Sequence, residues 1–149
     1  MSDEKPLHPP LKLTLKEELM AKKIDRFEDF IAWQKARQLT RTIYQATNLP
    51  GFSRDFGLKD QIRRSAVSIM SNIAEGFERD GDKEFANFLS LAKGSLGEIR
   101  SQLYSALDQE YIAEKDFAAI YDKAVNNGRM IAGLINYLKT SNVRGIKFR

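Results

Sequence analysis

The chain has 149 residues, 42% hydrophobic and 30% charged, with a formal net charge of +4 and a single histidine. That length holds one ordinary domain with a core of its own. The absence of cysteine excludes disulfides and thiolate metal sites, and no apolar run reaches the roughly 20 residues of a membrane span.

The opening "MSDEKPLHPP" lacks the charged-then-apolar layout of a signal peptide. A cytoplasmic protein with no membrane partner is therefore expected. Residues 1–26 read as an N-terminal extension. Its "KPLHPP" lead cannot be regular helix, because proline removes a donor and clashes with the preceding turn. In "TLKEELMAKK", Thr14 and Glu17 have the spacing of a capping box for a short helix bearing Leu15, Leu19 and Met20.

Residues 27–138 carry four long helical patterns. The first runs from about Glu28 to Thr47 and places Trp33, Ala36, Thr40, Ile43, Tyr44 and Thr47 on one face. "NLPGFSRDFG" interrupts it, since Pro50 and Gly51 are costly inside a helix. The second pattern runs from about Leu58 to Gly76, with Leu58, Ile62, Ala66, Ile69, Ile73 and Gly76 facing inward. The third begins at "DGDKE", where Asp80 or Asp82 can cap the free amides. Its stripe is Phe85, Phe88, Leu89, Ala92, Leu96, Ile99, Leu103 and Leu107. After a turn at "DQEYI", the fourth spans about Glu114 to Leu138 and buries Phe117, Ile120, Tyr121, Ala124, Gly128, Ile131, Ile135 and Leu138. Strand patterns are absent. The expected fold is all-α, an antiparallel up-down-up-down four-helix bundle, followed by a flexible basic tail over residues 139–149.

The positive charge is unevenly placed. The tail contributes +4, residues 28–64 sum to +3 and residues 75–138 to −4. Such polarity steers a partner or pairs neighbouring subunits, while the near-neutral body falls short of a dedicated nucleic-acid binder. On a helical wheel the second pattern turns Arg64, Ser68, Ser71 and Glu75 away from its stripe, with Asn72 at the border and Arg63 lateral. Small outward residues admit a close neighbour. In the third pattern Gly94 and Gly97 weaken the helix with no local gain. The fourth is apolar beyond one stripe, at Val125, Met130, Ala132, Leu134 and Tyr137. A homo-oligomer is the expectation.

The segments "FEDFIAWQKAR", "QIRRSAVSIMSNIAEGFER", "KEFANFLSLAKGSLGEIRSQL" and "YIAEKDF", in that order, resemble the four-helix-bundle family that includes the 23S rRNA intervening-sequence proteins. More distantly they are similar to the accessory variability determinants of retroelements. The resemblance implies a ring-like homopentamer with no established catalytic activity; the distant relatives bind a reverse transcriptase and nucleic acid. Trp33 and Arg37 match the family's first signature. Arg63, Arg64, Ser68, Asn72, Glu75 and Gly76 match the second, and Gly94, Ser95 and Glu98 the third. Met70 departs from a common proline and Ala113 from a common capping serine.

Each singled-out residue admits a plain structural reading beside a functional one. Arg63 and Arg64 suit phosphate, but the balanced body favours ion pairs. Asn72 and Glu75 suit a polar site, but a network that fixes helix register, with Glu75 on an arginine, is favoured. Trp33 can stack a base, but its place on the stripe favours core packing. No di-iron or nucleophile chemistry is expected, because the only histidine is His8 in the proline-rich lead. The expectation is a non-enzymatic scaffold, with no metal or cofactor, that engages RNA or DNA through Arg41, Lys59, Arg63, Arg144, Lys147 and Arg149. Arg64, Ser68, Ser71, Asn72, Glu75, Gly94 and Gly97 are expected in assembly or in the polar network. The competing reading is an adaptor that docks a protein partner, such as a nucleic-acid enzyme, through Leu11–Ile24, with no nucleic-acid role.

Overall fold

The computed structural model describes residues 24–140. Expectations for the Leu15–Leu19 segment and for the tail cations Arg144, Lys147 and Arg149 lie outside them. Among the described residues the chain is all-helical. A 3-10 turn at Phe27–Asp29 leads into α1 (Ile31–Ala46), followed by α2 (Pro50–Arg54), α3 (Phe56–Glu78), α4 (Asp82–Asp108) and α5 (Glu114–Thr140). The helix α3 packs on α4, α4 on α5, and α1 on both α3 and α5. One continuous core runs between them, with Ile43, Ile69, Leu96 and Ile131 all excluded from solvent.

The ends of the helices have identifiable causes. Pro50 does not simply break the chain, as the sequence suggested; it starts α2. The first helical position needs no N–H, so proline's fixed φ suits it. Asp55 caps α3 by accepting from the Leu58 N–H at 3.1 Å. At the start of α4 the expected Asp80 or Asp82 cap is replaced by Gly81, whose φ of 94° lies where side chains are disfavoured. Asp82 and Glu84 still lie in that first turn, where the helix dipole favours acids. The helix α4 ends with Tyr111 N–H donating to the Ala106 carbonyl and Glu110 N–H to Leu107, both at 2.9 Å. Glu110 takes φ 60° there, the left-handed residue of this terminator.

The second carboxylate oxygen of Asp55 accepts from the Tyr111 hydroxyl at 2.9 Å, and the Tyr111 ring stacks on buried Phe52 with centroids 5.3 Å apart. Thus the turn before α5 is tied to the start of α3. The hydrogen bond to Asp55, then burial, holds the Tyr111 phenol above its ordinary value of 10.0. As pH rises, the unfolded chain releases this proton first, so the contribution is present below pH ~10 and lost above it. Tyr111→Phe should therefore lose less stability than the wild type from about pH 9 to about pH 11. Urea unfolding at both pH values checks this; parallel losses would show that the bond does not couple to folding.

Core assignments on all four long helices need correction; in α4, Ala86, Ser95 and Ala106 are buried while Phe88 and Leu107 are half-buried. In α1 the buried residues are Ala32, Ala36, Leu39 and Ile43, while Trp33 is half-buried and Tyr44 is 38% exposed. The inward face is rotated by about one residue, because small side chains let α1 approach α5 closely. Asn127 of α5 reaches the Ala32 carbonyl at 3.1 Å. In α5, Asn127, Leu134 and Tyr137 join the core, whereas Phe117, Tyr121, Gly128 and Ile135 are half-buried. In α3, Ser65 and Phe77 are buried and Leu58 only half so. At Gly76 an added Cβ would lie 2.6 Å from Phe88 Cβ and 3.0 Å from the Phe85 ring, so glycine sets how close α3 and α4 come.

Candidate nucleic-acid interface

Several stretches of the described chain contain cations and no acid, residues 123–140 with Lys123, Arg129 and Lys139 among them, and two of these stretches pack together. Residues 30–54 hold Lys35, Arg37, Arg41 and Arg54, and residues 61–74 hold Arg63 and Arg64. The fold brings them side by side, because α1 packs on α3. Trp33, Arg37, Arg41 and Tyr44 recur at helical spacing on the flank of α1 next to its core face. Phe56, Lys59, Arg63, Val67 and Met70 recur likewise on α3. Thr40 on the α1 flank donates to the Ala66 carbonyl of α3 at 3.2 Å, and the Arg63 guanidinium stacks 4.3 Å from the Tyr44 ring centre. The two flanks therefore face one another across a shallow groove.

Arg63 is the joint of this groove. Its Nε donates to Thr47 Oγ1 at 2.8 Å and its Nη2 to Asn48 Oδ1 at 3.1 Å. Thr47 passes a hydrogen bond on to the Tyr44 carbonyl at 2.9 Å. The guanidinium thus sits at the C-terminal end of α1, where a cation complements the helix dipole. These partners are neutral groups, and among the described residues Arg63 has no intrahelical carboxylate partner. Among the described residues, ion pairs join Arg26 to Glu28 and Asp29, and Arg79 to Glu75. Arg37, Arg41, Lys59, Arg63 and Arg64 have none among those residues. Lys59 Nζ lies 5.2 Å from the Phe56 ring and the Arg37 guanidinium 5.9 Å from the Trp33 ring.

Polar side chains of α3 and α4 hydrogen-bond to one another within the chain. Asn72 Nδ2 donates to the Ser68 carbonyl and hydroxyl at 2.9 and 3.0 Å, and Ser68 shares a 2.9 Å hydrogen bond with Ser95 of α4. One turn pair away, Ser65 donates to Glu98 at 3.1 Å and accepts from Gln102 at 3.4 Å. Ser68 therefore turns toward α4 rather than outward. Its small size lets the two helices come close and hydrogen-bond across the seam. Glu75 pairs with Arg79 at 2.6 Å, and that guanidinium covers the Phe88 ring at 5.0 Å. Ser71, Arg64 and Gly94 are exposed and Gly97 is half-buried. A Cβ on Gly94 would meet nothing within 4 Å.

The sequence expectation named Arg41, Lys59 and Arg63, and the structure places Tyr44, Phe56 and Arg37 on the same two flanks. The signal was present as the two acid-free stretches. Trp33 is half-buried and packs against the core, as expected, whereas Tyr44 is exposed and joins the flank. Among the described residues no group of three or more His, Cys, Asp or Glu is placed to hold a metal ion, and no helix is long and apolar enough to cross a membrane.

Helices in this order, with a polar seam between α3 and α4 and a cationic flank along α1 and α3, define an all-helical bundle. Residues 28–133 match the family described as 23S rRNA-intervening sequence protein, and the chain belongs to that family. Among solved structures it is similar to a protein described as of unknown function, from the S23 ribosomal protein family of Bacteroides thetaiotaomicron. The TM-score is 0.66 at 22% identity over 71% of this chain and 96% of that one, a likeness of fold. No curated protein matches significantly.

Proposed function

We propose that this protein is a non-enzymatic cytoplasmic scaffold, assembled as a homopentamer of antiparallel up-down-up-down bundles, that engages RNA along the α1–α3 groove. The observation that carries this reading is the row of cations along α1 and α3 that forms no ion pair among the described residues. Arg37, Arg41, Lys59 and Arg63 present charge that no described carboxylate neutralises, and phosphate is the ligand such a row attracts without a shape-specific pocket. The tail residues Arg144, Lys147 and Arg149, outside the described residues, add three cations to the chain. The family description names 23S rRNA intervening sequences, which favours RNA over DNA. The bundle topology is supported by its pairings: Ser65 meets Glu98 while Ser68 meets Ser95, so numbers fall on α4 as they rise on α3. Self-association is supported by Leu91, 58% exposed on α4 beside open Gly94.

Light scattering of the protein with a structured RNA, at low and at physiological salt, tests the scaffold. The expected result is a pentamer whose mass rises with RNA at low salt and less so at higher salt. Arg41→Gln with Lys59→Gln should lower the salt dependence of log K by about two phosphate contacts, roughly 0.7–0.9 in slope for each. Lys115→Gln, on the acidic half of the molecule, should leave it unchanged. A pentamer indifferent to RNA at both salts would sink the RNA reading, and a monomer the scaffold.

A further inference from the structure

Phe56 is the most exposed large apolar residue described, at 67%. It sits at the first position of α3, while Asp55 makes the cap and Phe52 and Tyr111 make the local apolar contact. The phenyl ring therefore contributes little to the fold. One exposed ring is ordinary on a protein surface; its register is what matters. Phe56, Lys59 and Arg63 stand at i, i+3 and i+7, one above another on α3, with Lys59 over the Phe56 ring and Arg63 over Tyr44. The row thus alternates ring, cation, cation, ring. At 1.5 Å per residue it covers about 10 Å, close to three nucleotides of a stacked strand at about 3.4 Å each.

A duplex offers phosphates but hides the faces of its bases, so it has no use for an exposed ring beside the cations. A single strand offers both. We propose that the α1–α3 groove takes a single-stranded polynucleotide, with an unpaired base stacked on Phe56 and the flanking phosphates on Lys59, Arg63 and Arg41. This inference rests on the proposed nucleic-acid role of that groove and adds the class of strand it selects. Stacking on an aromatic is tolerant of sequence, because every base has a π-face. The groove therefore discriminates paired from unpaired nucleic acid rather than one sequence from another. Tyr44, with Arg63 on one face, extends the platform toward Arg41.

Fluorescence anisotropy tests this with a labelled 12-nucleotide oligouridylate, the matching oligothymidylate, and a 12-base-pair RNA duplex, at low salt. The full chain is compared with Phe56→Ala and Phe56→Trp. Phe56→Ala should weaken single-strand binding by roughly 5- to 30-fold and leave duplex binding nearly unchanged. Phe56→Trp should keep single-strand affinity. In a Trp33→Phe background the introduced indole is the only one in the chain, and its emission should fall on binding. The two homopolymers should bind alike if stacking and charge dominate; a strong preference for either would overturn that tolerance. Phe56→Ala that binds single strands like the wild type, or a wild type that prefers the duplex, would overturn the inference while leaving the nucleic-acid role standing. A wild type that binds none of the three probes would overturn that role and this inference with it.

Discussion

Asn127→Asp should cost roughly 3–5 kcal/mol of stability at neutral pH, and most of that loss should vanish on acidification. Asn127 is 1% exposed, and its amide donates to the Ala32 carbonyl across the α1–α5 contact at 3.1 Å. An aspartate there would lose the donor and set a negative charge against a carbonyl oxygen in a dry environment. Burial disfavours the charged form, so the folded carboxyl would titrate well above the ~3.9 of the unfolded chain. The unfolded chain then releases its proton first as pH rises. The penalty grows from about pH 4 through the raised folded value and levels off above it. Below pH ~4 the protonated carboxyl can donate to Ala32, leaving a deficit of about 1 kcal/mol. Urea unfolding of both proteins across this range measures the difference. A pH-independent deficit would mean that the position reaches water.

The second large effect is steric. Gly76→Val should destabilise by about 3 kcal/mol, and Gly76→Ala by about 1–3 kcal/mol, despite alanine's better helix propensity. The clash is with Phe88 Cβ at 2.6 Å, an atom bonded to backbone that no rotamer can move, and with the Phe85 carbonyl at 3.4 Å. The helices must separate, and Ile73, Phe77 and Leu89 lose contact where they do. Gly94→Ala supplies the contrast. Nothing lies within 4 Å of its added Cβ, so in an isolated subunit it should gain about 0.5–1 kcal/mol. If Gly94 faces a neighbouring subunit, the same change should instead weaken association, visible as a concentration-dependent mass. Equal effects at Gly76 and Gly94 would show that neither glycine is placed by packing.

Helical periodicity is a strong and local signal, which is why four long helices were legible with ends correct to within about three residues. The four long patterns correspond to α1, α3, α4 and α5. Asn72–Ser68 and Glu75–Arg79 were equally legible, since residues four apart share a helix face whatever surrounds them. The errors lie where a neighbour decides. Trp33 and Tyr44 fit a helical stripe one residue out of phase with the buried one. Helical spacing alone did not separate that stripe from the neighbouring one with Ala32 and Leu39. Close approach of α5 decided between them, because small residues fit that contact and rings do not. Ser68 looked outward on an isolated wheel, and only Ser95 on α4 shows where it points.

The sequence by itself determined the all-helical class, the order of the helices, the family, and the segregation of positive charge into the first half of the body. Each depends on residue identity and short spacing. Only the tertiary structure decided that the two cationic flanks lie side by side, that Arg63 gives two of its five donors to Thr47 and Asn48, and that Phe56 stands exposed at the end of that row. Those outcomes depend on which helix packs against which and at what distance. They come from contacts between residues far apart in the chain, and periodicity carries no information about such contacts.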